Sequence, residues 1–470
     1  MLAIDIKHKP TEGQEIALTQ MLSWLDMQRT WVVDKWVEAP TSYTLSGSAG
    51  TGKTSVIQFL LQRYKKYSQT VVSAPTHKAK KVIAEKTGLQ AYTIQKLLGL
   101  MPNTDIEDFN INKPNFDPKG EPQIKYFKLV IIDEASMLND DLHAMIEKTA
   151  KQHKVKILYL GDKLQLPPVN EEISNVFNSN NNYELLEIVR QSTTNPLIEL
   201  LAILRDDIIN GTWNFKLRLT QLKGNNNVNA LGEGIIVTED KQEFADLLVA
   251  DYSSSEAQID HNHVRYCAWT NECVGNWNKY VRDKLKENSF GIANNNFIVP
   301  NDMLMSYNSI SEDNEPVIVN SEDYIVQSTT KTVSKDNVSV YRTILNPIDD
   351  EGVVCIDIVD PEDYDHFMKV HTEYHQTAIE RKGTAWVEYY KFKNKHLLLK
   401  DMRTTSNKLI VKKDIDYGYA ITVHKTQGST YTNIFVDGNN LSKNSNAVDC
   451  KKLWYVALSR PKKKAIILLT

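Results

Sequence analysis

The chain has 470 residues, of which 41% are hydrophobic and 24% charged, the balance of an ordinary globular protein with length for about three domains. Lys and Arg total 55 against 59 Asp and Glu, a formal net charge of -4. That excludes a chain that grips polyanions by bulk charge, though not one with a local basic channel.

Cys267, Cys273, Cys355 and Cys450 form no CxxC pair, so neither a disulfide framework nor a zinc ribbon is expected. Free thiols fit a reducing compartment. Met1-Leu2-Ala3-Ile4-Asp5 lacks the charged and apolar blocks of a signal peptide. No uncharged apolar run approaches the roughly 20 residues of a membrane span. The expected setting is the cytoplasm of a bacterial or phage-infected cell, with no membrane partner.

In chain order, residues 11–38 read as helical, with Thr11 as N-cap and Ile16, Leu18, Met21, Leu22 and Leu25 at helical spacing. A strand at 42–45, a Gly-rich turn and a helix at 53–66 come next. The strand-turn-helix text recurs at 71–74 with 76–87, at 129–132 ending in Asp133-Glu134, and at 156–160 ending in Gly161-Asp162. Short, continuously apolar strands mark a parallel sheet buried on both faces. Functional residues in such sheets gather at the carboxyl ends of the strands.

Residues 101–126 break this pattern with four prolines and isolated Phe109 and Phe116, and read as an inserted arm. A second α/β unit begins near 196, with a strand at 264–269 and a helix at 274–286. From 321 the text turns β-rich, with a helix capped by Asp360 and strand-like stretches at 386–392 and 396–399. The segment 321–406 therefore reads as a small inserted β-barrel. Sheet text returns at 418–423, 433–436 and 464–469. The fold class is α/β.

Gly47-Ser48-Ala49-Gly50-Thr51-Gly52-Lys53-Thr54 matches G-x-x-x-x-G-K-[ST] in full, between a strand and a helix. The glycines let backbone N–H groups wrap a phosphate at a helix N-terminus. Lys53 would reach the β- and γ-phosphates of ATP, and Thr54 would ligate Mg²⁺. Asp133-Glu134 lies 79 residues beyond Thr54, at the end of an apolar strand. Two adjacent acids there are costly without a cation to share. Asp133 suits the metal, and Glu134 suits the base that orients the attacking water.

With these motifs in order, the chain resembles a superfamily 1 helicase of the 5′-to-3′ RecD-like group, superfamily 1B. On that resemblance Gln14, in Thr11-Glu12-Gly13-Gln14, would read the adenine edge, and Gln427 and Gly428 would join the nucleotide site. Gln165, in Gly161-Asp162-Lys163-Leu164-Gln165-Leu166-Pro167-Pro168, would sense the γ-phosphate. Arg190, and Arg460 in Tyr455-Val456-Ala457-Leu458-Ser459-Arg460, would be its arginines, Arg460 as the finger. Single-stranded DNA contacts would come from Pro75, Thr76, His77, Lys78 and Thr93, and from Trp269, Thr270, Asn271, His424 and Lys425.

The arm sits where the family carries a duplex-splitting pin, with Phe109 or Phe116 as its tip. The barrel sits where the family has an SH3-like insert. The implied layout is 1–100 plus 127–195 as a first RecA-like domain, 101–126 as the pin, 196–320 plus 407–470 as a second RecA-like domain, and 321–406 as the insert. If Lys53 and Arg460 belong to different domains, nucleotide binding would close a cleft and hydrolysis would reopen it. The implied ligands are ATP, Mg²⁺, single-stranded DNA and its junctions with duplex, with single-strand-binding or replication proteins as partners of a monomer. The competing readings are a translocase that strips proteins from DNA and the motor subunit of a nuclease complex. His371-Thr372-Glu373-Tyr374-His375 misplaces the Glu of a zinc-protease motif and reads as a polar helix surface.

Overall fold

A computed structural model describes residues 9–32, 35–100, 120–168, 171–187, 189, 195–290, 297–312, 315–349, 351–403 and 410–470. The chain divides into two compact units, 1–241 with 423–470, and 242–422.

The first unit is built on a five-stranded parallel sheet. Its order is Thr70–Ser73, Leu129–Ile132, Lys156–Gly161, Ser42–Gly47, Asn182–Leu185. Alternate residues of the inner strands serve opposite cores, as a two-residue period requires. Leu129, Ile131, Leu158 and Leu160 pack with the helices Glu12–Asp26 and Lys53–Arg63. Val130, Ile132, Ile157 and Tyr159 pack with Ile94–Leu98 and Asp140–His153. Each buried aliphatic side chain is worth about 1.5–3 kcal/mol, so these strands are fixed from both sides. The same unit holds the parallel strands Gly234–Thr238, Pro461–Leu468 and Tyr431–Asp437, edged by antiparallel Asn226–Val228. The helix Ala447–Ser459 is buried from Cys450 onward.

The expectation of one helix over 11–38 is corrected. The helix stops at Asp26, and Met27 is extended. Arg29–Val32 and Lys35–Glu38 pair as an antiparallel hairpin with Trp31 opposite Trp36. The helical apolar period ends at Leu25, and the stretch 30–37 is rich in β-branched and aromatic residues, the composition of a strand.

In the second unit, Val264–Ala268 pairs in parallel with Ala420–Thr422, and the helix Asn271–Phe290 comes after the first of them. A six-stranded, mainly antiparallel sheet runs in the order His396–Leu397, Val354–Val359, Ser339–Pro347, Asp323–Val333, Met303–Ser306, Ile415–Tyr417. It draws strands from either side of 321–406.

The strand expected at 386–392 is instead part of a helix, Thr384–Lys395, in a hairpin with Tyr364–Arg381. Its aromatic composition suggested a strand. Its buried positions, Ala385, Tyr389 and Phe392, follow the helical period. His371 is also corrected. It is fully buried rather than on a polar surface, against Tyr389 and Phe367, with its Nε2 3.2 Å from the Tyr389 hydroxyl. No described helix is long and apolar enough to cross a membrane.

Candidate active site

The phosphate loop leaves the strand Ser42–Gly47 and enters the helix Lys53–Arg63 at Gly52, whose φ of 80° favours glycine. A Cβ there would meet Gln14 Nε2 at 2.5 Å. Gln14 is buried. Its Nε2 donates to Thr51 O (3.2 Å), and its Oε1 accepts from Thr11 N (3.1 Å) in a capping box. The Gln14 amide thus braces the underside of the loop. Thr51 Oγ1 donates to Ser48 O (2.9 Å) and Lys53 Nζ to Gly47 O (2.5 Å), so the loop is held by its own residues. Thr54 is half-buried in the first helical turn.

Asp133 continues the strand Leu129–Ile132 and donates its N–H to Ser73 O (2.9 Å). Glu134 is next, at φ 51°, a left-handed conformation uncommon outside glycine, with its N–H on Asp133 Oδ1 (2.9 Å). Burial raises the pKa of both carboxyls. Lys53 opposes the rise at Asp133, as does the Glu134 N–H; at Glu134 the main opposition is Arg460. Two acids pressed together in a dry crevice, facing a lysine, form a donor set for a divalent cation and a triphosphate.

Gln165 is buried and hydrogen-bonds Glu134 through its side chain, while its Oε1 has no partner. Arg460 caps the helix Ala447–Ser459, and its Nη1 lies 3.9 Å from Glu134 Oε1. Its Nε donates to Val456 O (3.1 Å). Lys53, Asp133, Glu134, Gln165 and Arg460 therefore converge in one crevice within the first unit. Arg190 lies outside the described residues, as do Phe109 and Phe116; the neighbouring Val189 N–H donates to Gly50 O (2.9 Å).

Gln427 and Gly428 lie beside the Leu166 turn and the Thr76 loop. Gln427 Nε2 donates to Leu166 O (3.3 Å), and a Cβ on Gly428 would meet Thr76 Oγ1 at 2.8 Å. The Gly428 segment therefore adjoins the Pro75–Lys78 loop. Thr76 caps the helix His77–Thr87 through Ala79 N (3.2 Å). Burial, with help from Lys80, brings the His77 pKa down to about 3. Lys78 is buried 6.0 Å from the Tyr431 ring centroid. Thr93 caps Ile94–Leu98, and His424 is exposed beside half-buried Lys425. In the second unit Trp269 and Thr270 are half-buried at the end of Val264–Ala268, with Asn271 exposed.

Sequence reasoning passed over two residues. The Tyr455 hydroxyl accepts from Ala49 N (3.1 Å) and donates to Asp162 Oδ2 (2.8 Å). An available signal was the placement of Asp162 just past a buried strand, where an acid needs a partner.

Residues 26–217 match the family model described as an AAA domain, and residues 417–468 match that of the UvrD-like helicase C-terminal domain. The chain is 24% identical over 468 residues to an uncharacterised protein of Acanthamoeba polyphaga mimivirus, covering 89% of this chain and 93% of that one. It is 28% identical to the ATP-dependent DNA helicase dda of Enterobacteria phage T4, over 59% of this chain and 57% of the helicase, so less than two thirds of that relative is matched. A crystal structure of a Bacteroides Pif1 helicase with ADP-AlF3 and single-stranded DNA superposes with a TM-score of 0.51 at 18% identity. It covers 98% of this chain and 92% of that one, a likeness of fold.

Proposed function

We infer that this chain, a homologue of the superfamily 1B helicases, is an ATP-driven DNA helicase that tracks single-stranded DNA from 5′ to 3′ and separates duplex ahead of it. The observation that carries the reading is the convergence of Lys53 and Arg460 on the Asp133-Glu134 pair beside the unpartnered Gln165 Oε1.

Thr54 and Asp133 would hold Mg²⁺, which would supply positive charge to offset that of the phosphates. Lys53 leaves the Gly47 carbonyl for the β- and γ-phosphates. Glu134 takes one proton from the attacking water, and Gln165 Oε1 accepts a hydrogen bond from the O–H that remains. Burial raises the Glu134 pKa, which favours its work as a base, and the Arg460 guanidinium opposes that rise. The Arg460 guanidinium then faces the charge developing on the phosphoryl oxygens. An arginine in this role is worth about 10³–10⁵ in rate.

Nucleotide binding draws Arg460 inward, and product release lets it go. The segment that carries Gln427 and Gly428 touches both the Leu166 turn and the Thr76 loop, so this movement reaches residues 75–78 and 424–425, the proposed backbone grips. Trp269, with Thr270 and Asn271, offers a stacking face of the kind single strands use. The arm 101–126 serves as the wedge.

Strand displacement on 5′-tailed and 3′-tailed duplexes tests the reading. Unwinding of the 5′-tailed substrate alone is expected, and unwinding confined to the 3′-tailed one overturns the direction. Deleting 103–122 should abolish unwinding and spare DNA-stimulated ATP hydrolysis. Surviving unwinding would remove the wedge from the account.

A further inference from the structure

We propose that Tyr455 is a positioning residue, its hydroxyl holding the arginine-bearing helix in register with both the phosphate loop and the Gln165 turn. The inference rests on the motor reading above and adds to it a residue that touches no reacting atom.

The Tyr455 side chain is 1% exposed, on a helix buried at every position from Cys450 to Ser459. Its hydroxyl is shared by three parts of the chain. It accepts from Ala49 N (3.1 Å), in the phosphate loop, and donates to Asp162 Oδ2 (2.8 Å), at the end of the strand Lys156–Gly161. Burial and the facing carboxylate keep the phenol protonated, so it is the donor to Asp162.

The other Asp162 oxygen accepts from Leu164 N (3.0 Å), and Asp162 O accepts from Gln165 N (3.1 Å). Asp162 is thus the hinge pin of the turn that presents Gln165 to Glu134. Arg460 lies five residues beyond Tyr455 on the same helix, with its Nε tied back to Val456 O (3.1 Å). A shift of the helix at Tyr455 is therefore a shift of the guanidinium relative to Glu134. A single oxygen fixes the spacing between phosphate loop, water-orienting glutamine and finger. A phenylalanine would fill the same space but leave Ala49 N–H and Asp162 Oδ2 buried without this partner, which a packed interior does not tolerate without local movement.

The test is Tyr455→Phe, measured for ATP turnover, KM for ATP, melting temperature, and affinity for ADP alone against ADP with aluminium fluoride. A misplacement of catalytic groups by about 1 Å costs on the order of 100-fold in rate. A fall of that order in kcat is expected. Affinity for the aluminium fluoride complex should fall in parallel, with KM, ADP affinity and melting temperature held. A kcat within about twofold of the parent, or equal losses of ADP and analogue affinity, overturns the inference.

Should Tyr455→Phe fail to fold, Asp162→Asn weakens the same anchor while keeping every ring in place. It is read by the same ratio, and unchanged turnover or equal losses of the two affinities again overturn the inference. A parent protein without Lys53-dependent ATP hydrolysis overturns the motor reading, and this inference with it. An active parent matched by an equally active Tyr455→Phe overturns the inference alone.

Discussion

The two units bury arginine beside carboxylate in different ways. In the second unit Arg265 and Asp323 are both essentially inaccessible and meet through two contacts of 2.7 and 3.2 Å, with Gly418 O as a further acceptor for the guanidinium. Arg282 grips Asp302 in the same two-pronged way, at 2.8 and 2.6 Å. In the first unit Arg460 stands 3.9 Å from Glu134, outside hydrogen-bond range. Each tight pair meets its charges with charge-assisted hydrogen bonds, so removing one partner would leave the other buried and unpaired. The open pair makes no direct hydrogen bond between guanidinium and carboxylate, so it does not clasp its neighbours as the tight pairs do.

The contrast breaks most sharply at the nucleotide site. Lys53→Ala should remove ATP turnover, a loss of about three orders of magnitude or more in a phosphate-release assay, while single-strand affinity persists. Arg460→Ala should lower kcat by about 10³-fold and leave ADP affinity nearly unchanged, because the finger acts on developing charge. In the tight pair the effect moves from rate to stability. Asp323→Asn should cost about 3–5 kcal/mol in urea unfolding by leaving Arg265 buried without its counter-charge, and the folded fraction should retain nucleotide affinity.

The smallest effect concerns protons. Burial lowers the pKa of His371 to about 4, with Lys393 and His375 adding to the fall. The unfolded chain binds that proton near pH 6.5 and the folded chain does not. Stability is therefore whole above about pH 6.5 and declines as pH falls towards 4, by about 1–2 kcal/mol at pH 5. His371→Asn should flatten that part of the stability profile.

Much of the site was legible because its chemistry is local. The phosphate loop needs eight consecutive residues, and the acids at 133 and 134 declare themselves by ending a strand of four apolar residues. The hairpin at 29–38 was misread by carrying the helix past Leu25, where its apolar period ends, and the helix at 384–395 because its aromatic composition suggested a strand while its buried positions follow the helical period. Gln427 and Gly428 have Leu166 and Thr76 as neighbours in space, contacts that no local pattern announced.

The sequence by itself determined the parallel sheet, the phosphate-loop motif and the Asp133-Glu134 pair at a strand end, because each depends on residues within one strand, turn or helix. Only the tertiary structure decided that Tyr455 would meet Ala49, 406 residues away, and Asp162, 293 residues away. The same holds for Arg460, which faces Glu134 loosely while Arg265 clasps Asp323 tightly. The physical reason is that a charge or a hydroxyl carries no record in its own neighbourhood of the partner that packing will supply.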